Sequence, residues 1–128
     1  MTLRKIADLP TPGYGCNRAS AISEKLSFTI SYECDDEETT STVTRKVEFT
    51  NVVAYSFYDE AHAHKWTSET FDALAEDDDS EWLRTLQAKV PAGPSTWPFD
   101  RHHYVLCLRN HGCYDVAAES VTLNPTEN

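Results

Sequence analysis

The chain has 128 residues, of which 40% are hydrophobic and 11% aromatic, a composition that favours one globular domain over residues 1–128 and argues against disorder. Eleven basic residues against twenty-one acidic ones give a net charge of −10, which disfavours binding to nucleic acid or to an anionic membrane surface. The same charge is compatible with a basic protein partner.

Residues 1–23 predict an irregular lead-in with a short strand around 14–22, because two prolines and two glycines interrupt a helix. No secretory signal is recognisable, and no apolar run approaches the ~20 residues of a membrane helix. We therefore expect a cytoplasmic protein whose four cysteines are reduced. These are Cys16, Cys34, Cys107 and Cys113.

A long antiparallel hairpin is predicted over residues 25–50. Apolar and polar side chains alternate through residues 25–34 and again through 42–50, the pattern of strands with one buried and one solvated face. The acidic stretch between them indicates an exposed connection.

Two other segments, 52–58 and 101–108, are apolar on both faces, so we expect both to be central, buried strands. A further strand is predicted over 67–75. The segment 101–123 forms a second hairpin around a glycine-bearing turn, and 124–128 is a tail.

One short helix is predicted over residues 81–89. Asp79 or Ser80 can cap its N-terminus, and Trp82, Leu83 and Leu86 fall on one face. A proline-rich loop follows, over 91–100. The predicted fold is therefore mainly β, bordering on α+β, with about six antiparallel strands in a sandwich or a strongly bent sheet.

Histidines are the candidate metal ligands. His62 and His64 would point to one face if they lay on a strand, and His103, or its neighbour His102, would supply a third ligand. If the strand over 52–58 lay beside the final hairpin's first strand, both histidine pairs would meet at one end of the sheet. That arrangement would form a zinc site. The alternative to a metal site is that these are ordinary loop and strand-end histidines.

No catalytic or cofactor-binding residues are predicted. The acidic runs 35–38 and 76–79 lack calcium-loop spacing and indicate exposed turns. Cys107 lies within an apolar strand, where a cysteine is usually a small buried hydrophobe, whereas Cys113 lies beside the turn and is expected to be more exposed. Motifs for nucleophilic catalysis, phosphate binding and dinucleotide binding are missing, so an enzyme is the less favoured class.

Three parts of the sequence are similar to a group of small, uncharacterised bacterial β-rich proteins. They read VEFTNVVAYSF over 47–57, DSEWL over 79–83, and HYVL followed by GCYDVAAES within 103–120. That group loosely resembles immunity-type domains that neutralise a neighbouring toxin. The resemblance implies a β-rich fold and brings no catalytic residues.

Three functions follow as hypotheses. The first is a non-enzymatic binding or interaction module, and the second is its narrower form, an acidic inhibitor of a basic toxin. The third is a metal-dependent activity that uses the histidine pairs. The oligomeric state is not predicted.

Overall fold

A computed structural model describes residues 3–9, 20–24, 26–35, 42–59, 72–88, 101–108 and 111–124 of the chain. Nine strands and one helix lie in these ranges. They are β1 (Leu3–Asp8), β2 (Ser20–Glu24), β3 (Ser27–Asp35), β4 (Thr42–Thr50), β5 (Ala54–Asp59), β6 (Ala73–Asp77), α1 (Glu81–Ala88), β7 (His102–Leu108), β8 (Gly112–Ala118) and β9 (Ser120–Leu123).

The strands form two antiparallel sheets. The first sheet has the order β1-β6-β7-β8-β5 and the second has the order β2-β3-β4-β9. The mainly β prediction with one short helix is thus confirmed.

The two sheets share one core, which makes the fold a sandwich rather than a single bent sheet. Side chains from alternate positions of both sheets interdigitate there and exclude water. The largest fully buried ones are Phe28, Ile30, Val47 and Phe49 from the second sheet, and Leu74, Leu106, Leu108 and Val116 from the first. Burying each such side chain contributes about 1.5–3 kcal/mol to folding.

The predicted hairpin over 25–50 is confirmed. β3 and β4 pair in register from Ser27↔Thr50 to Asp35↔Thr42, which places Phe28 opposite Phe49 on the buried face. The prediction that 101–108 is central is also confirmed, because β7 is the third of five strands in its sheet.

Three strands differ from the prediction. β1 forms where only an irregular lead-in is predicted, because its partner β6 lies about 70 residues away and no local pattern announces the pairing. β6 begins at Ala73, later than the predicted start at 67, and residues 67–71 lie outside the described ranges. The last predicted strand divides at Glu119, where the chain leaves the first sheet and enters the second as β9.

β5 is the largest correction. Its apolar faces predict a central strand, but β5 is the last strand of the first sheet and pairs only with β8 among the described strands. Apolar residues on both faces of a strand indicate apolar neighbours above and below the sheet. They do not indicate whether a further strand lies beside it.

The predicted helix is confirmed over Glu81–Ala88, and Ser80 is its cap, since Ser80 Oγ accepts the backbone N–H of Leu83 at 3.0 Å. Trp82, Leu83 and Leu86 are partly buried, whereas the other helical residues are exposed. α1 packs against β7 through this face.

Candidate functional site

An exposed pair of aromatic side chains lines the edge of the first sheet. Tyr55 and Phe57 lie on the core-facing side of β5, opposite Val116 and Tyr114 of β8. Yet Tyr55 is 48% exposed and Phe57 is 43% exposed, because β5 lies at the border of the sandwich. We call this pair the aromatic ledge.

Buried rings hold the aromatic ledge in place. Tyr55 stacks on Phe28, with 4.3 Å between ring centroids and 18° between ring planes. Phe57 lies 4.8 Å from Tyr114 and 5.3 Å from His111. Because Phe28 and Tyr114 belong to the core, the exposed rings rest on a rigid base and lose little conformational entropy when a ligand covers them.

Gly112 is required beneath the ledge. Its φ of +147° is strained for any residue with a Cβ, and such a Cβ would collide with the carbonyl oxygen of Tyr58 and lie 2.8 Å from the ring of Phe57. The absence of a side chain at this position lets β8 approach β5 closely and lets the Phe57 ring pack over the hairpin end.

The backbone groups of the ledge residues point away from β8. The Cα atoms of Cys107 and Cys113 are 4.1 Å apart, the short spacing of a pair that exchanges no hydrogen bonds across the β7–β8 ladder. Every second residue of β8, starting at Cys113, therefore directs its N–H and C=O groups toward β5, as the 2.9 Å bond from Val53 N to Ala117 O also shows. The β5 residues opposite them, Ala54, Ser56 and Tyr58, face β8. The residues between these, Tyr55 and Phe57, direct their backbone groups to the outer edge.

The opposite edge of the same sheet is different. β1 carries Arg4 and Lys5, and its register shifts between Lys5 and Ala7. Charged side chains and bulges are the usual means by which edge strands avoid pairing with other chains. β5 has no lysine, arginine or proline, and its only charged residue is Asp59 at the end.

His111 is the titratable group in contact with the ledge. Its Nε2 lies 2.9 Å from the hydroxyl of Tyr114. Burial lowers the pKa of His111 and raises the pKa of Tyr114, the nearby Tyr55 adding to the second shift. Both groups are therefore neutral at pH 7, and the ledge rests on an uncharged base.

A buried polar network joins α1 to the outer face of the first sheet. His103 Nδ1 lies 2.7 Å from Ser80 Oγ, and its Nε2 lies 2.6 Å from a carboxylate oxygen of Asp115. Asp77 Oδ2 lies 3.7 Å from Nδ1, and the Trp82 ring packs 4.7 Å from the imidazole. Serine, histidine and aspartate together are the residue types of a hydrolase triad.

The geometry favours a structural role for this network. Ser80 Oγ already accepts the N–H of Leu83 as the helix cap, and Ser80 is only 6% exposed. The serine contacts Nδ1 and the carboxylate contacts Nε2, which reverses the pairing that orients the imidazole in serine hydrolases. The network fastens the helix N-terminus to β7 and β8.

The second acidic run is less exposed than predicted. Asp77 is buried and accepts the N–H of Asp79 at 3.0 Å, so only Asp78 and Asp79 of the run 76–79 are exposed. Glu76 bridges Arg4 and His102, at 3.0 and 2.7 Å. These carboxylates stabilise the β6 end and the turn into α1.

His102 and His103 point to opposite faces of β7, as their adjacent positions predict. Both ring nitrogens of His103 have hydrogen-bond partners, and the described ranges contain no group of three candidate ligands for a metal ion. His62 and His64 lie outside the described ranges. The metal site stays a prediction, but its geometric premise is wrong, because β8 separates β5 from β7 and the C-terminal end of β5 lies level with Leu108, away from His103.

The cysteine predictions need correction. Cys107 and Cys113 face each other across the β7–β8 hairpin and form a disulfide, so they are not reduced thiols. Cys113 is fully buried rather than exposed, because it belongs to a buried cluster with Ala75, Val105 and Cys107. Cys34 is a free thiol buried in the core, and Cys16 lies outside the described ranges.

Comparisons of the chain with protein-family models, curated proteins and solved structures find no match. The resemblance to immunity-type domains stays a prediction, and function has to be argued from the site. In the described residues, no helix has the length and apolar character needed to cross a membrane.

Sequence reasoning missed the aromatic ledge, although it contained a signal for it. The segment AYSFYD combines aromatic residues at i and i+2 with no proline and with a single charged residue at its end. That pattern is compatible with a buried strand and with an unprotected edge, and only the sheet order distinguishes them.

Proposed function

We propose that this chain is a non-enzymatic binding module that docks a protein partner on the aromatic ledge. The observation that carries the proposal is the half-exposed state of Tyr55 and Phe57 on a base of buried rings. Exposed aromatic groups held rigidly on a soluble protein mark interaction surfaces, and tyrosine and phenylalanine are enriched in the cores of protein interfaces.

The net charge of −10 supports a basic partner. Opposite net charges raise the rate of association and make it sensitive to salt, while apolar contacts at the ledge would set the dissociation rate. Binding of this partner should therefore weaken when salt is added, mainly through a slower association.

The proposed location is the cytoplasm. The Cys107–Cys113 disulfide opposes it, because disulfides persist mainly in oxidising compartments. Alkylation of thiols in freshly lysed cells of the native host, followed by mass spectrometry, shows whether this pair is oxidised in the cell. If the pair is oxidised and the protein is cytoplasmic, the buried disulfide must escape cellular reductants.

Site-specific photocrosslinking tests the function. A benzophenone amino acid placed at Phe57 in the native host should yield a discrete crosslinked species after irradiation, because the ring reaches into the interface. The same amino acid at Thr122 of β9, an exposed position on the other sheet, is the matched control and should yield none.

The crosslink should also disappear when excess unlabelled wild-type protein is added, and persist when the competitor carries Tyr55→Ser and Phe57→Ser. Crosslinking at equal levels from both positions, or from neither, contradicts the proposal. Circular dichroism of the double variant establishes that the competitor is folded.

The charge also favours a narrower function, an inhibitor of a basic toxin. The reading frame beside this gene is then the natural source of the partner. Co-expression of the two proteins should restore growth that the neighbour alone inhibits, and unchanged growth inhibition rejects this second function.

A further inference from the structure

We infer that β5 binds its partner by strand addition, pairing with an extended basic segment that places Arg or Lys side chains at i and i+2 beside Tyr55 and Phe57. This inference rests on the proposed function and specifies its partner. Strand addition combines affinity from backbone hydrogen bonds with specificity from alternate side chains.

The backbone of β5 provides the first support. The N–H and C=O groups of Tyr55 and Phe57 point to the outer edge, and no described strand pairs with them. An incoming antiparallel strand would exchange two hydrogen bonds with each of these residues, as in the hydrogen-bonded pairs of an antiparallel ladder.

The contrast between the two edges provides the second support. The β1 edge carries Arg4, Lys5 and a register shift, and the second sheet ends in β9, which has only four residues, and in β2, which has five and no aromatic residue. β5 has six residues and no register shift, and Asp59 at its end is its only charged residue. An edge strand with so few protective features pairs readily with another strand.

The side chains define the partner's chemistry. In the extended sheet, the partner residues opposite Tyr55 and Phe57 point to the same face as the two rings, at a Cβ separation of about 4.5–5.5 Å. An arginine or lysine there can stack on an exposed aromatic face and is attracted by the net charge of −10. A second copy of this chain is disfavoured as the occupant, because two copies repel each other.

Three peptides test the inference on the full chain. The parent probe is acetyl-Ser-Thr-Arg-Thr-Arg-Thr-Ser-amide, which alternates two arginines with polar residues. One derivative is N-methylated on both arginines and so loses the N–H groups that would face β5. The matched derivative is N-methylated on the two threonines that flank the second arginine, whose N–H groups would face solvent.

We expect the parent probe and the threonine-methylated probe to bind with similar affinity, and the arginine-methylated probe to bind about tenfold more weakly, because it loses two backbone hydrogen bonds. Hydrogen exchange followed by NMR should show new protection at the amides of Tyr55 and Phe57. The amide of Ser56, which already faces β8, should not change.

Equal binding of all three peptides, or no binding, overturns the inference, and so does a dimer of the free chain in sedimentation that Tyr55→Lys abolishes. The crosslinking experiment distinguishes a failure of the strand-addition inference from a failure of the proposed binding function. If Phe57 captures a partner but the Tyr55 and Phe57 amides stay unprotected in that complex, strand addition is wrong and the binding function stands. If neither is observed, both are wrong.

Discussion

Ser80 connects two elements through a single hydroxyl. Its Oγ caps α1 and contacts the imidazole of His103, so Ser80→Ala removes a helix cap and leaves a buried ring nitrogen without its partner. We expect the free energy of unfolding to fall by about 2–4 kcal/mol, the sum of a lost cap and an unsatisfied buried group. Urea denaturation measures the change.

Asp79 provides the control for this prediction. It lies next to Ser80, is exposed, and pairs with Arg84 at 2.9 Å on the surface. Solvent screens such a pair, so Asp79→Ala should leave the unfolding midpoint almost unchanged. Equal losses of stability in the two variants would contradict the assignment of Ser80 as the helix cap.

His111 should make stability depend on pH. Burial lowers its pKa below the usual 6.5, so the unfolded chain binds this proton more readily than the folded chain does. Stability therefore rises with pH through the range just below 6.5 and is lost as pH falls through it.

The variant His111→Gln removes this proton. The difference in unfolding free energy between wild type and His111→Gln should shift against the wild type as pH is lowered from 7 to 5. Chemical denaturation at a series of pH values measures it, and a difference that is independent of pH would contradict the buried, neutral imidazole.

At the level of the strand, the alternation along β5 leads to a positional prediction for proline. Proline lacks an N–H and is tolerated in an edge strand where that group faces outward. Tyr55→Pro should therefore fold, whereas Ser56→Pro removes a bond to β8 and should cost about 1–3 kcal/mol more, because it leaves a carbonyl of β8 unsatisfied.

Thermal unfolding of the two variants, followed by circular dichroism, gives the comparison. If Ser56→Pro is the more stable variant, the edge-facing groups belong to the even-numbered residues, and the proposed pairing of Tyr55 and Phe57 with a partner is wrong.

The sequence predicts those strands whose partners are close along the chain. The β3–β4 hairpin and the β7–β8 hairpin follow from alternation and turn residues alone, and so does α1 with its cap. β1 is missed, and β9 is predicted only as a continuation of β8, because each pairs with a strand that lies at least 65 residues away. Such pairing depends on the global order of strands, on which local periodicity carries no information.

The same reason explains what could be predicted of the site. The aromatic residues of β5 are recognisable in the sequence, but their exposure depends on the strand's position at the sheet edge. The Ser80–His103–Asp115 network is missed because its members are brought together by the β6–β7 and β7–β8 registers, over separations of 23 and 12 residues.

For the whole molecule, the charge predicts a salt effect on stability. A net charge of −10 destabilises the compact state by self-repulsion, and the unfolded chain relieves that repulsion. Raising the ionic strength from about 0.01 M to about 0.15 M shortens the Debye length from about 30 Å to about 8 Å, so the melting temperature should rise. A melting temperature that falls over this range would show that the surface ion pairs dominate.

The order of strands in the first sheet also bears on how the protein is made. Of its five strands, the third and fourth, β7 and β8, come last in the chain, so β5 has no neighbour and β6 has only β1 until residues 102–118 have left the ribosome. The second sheet is likewise completed only by β9. A nascent chain of about 100 residues would hold the β3–β4 hairpin with its apolar face uncovered, which is the state that recruits chaperones. Formation of the native sandwich is therefore a late event in synthesis, and slow codons before residue 102 would prolong the exposure of that face rather than help it fold.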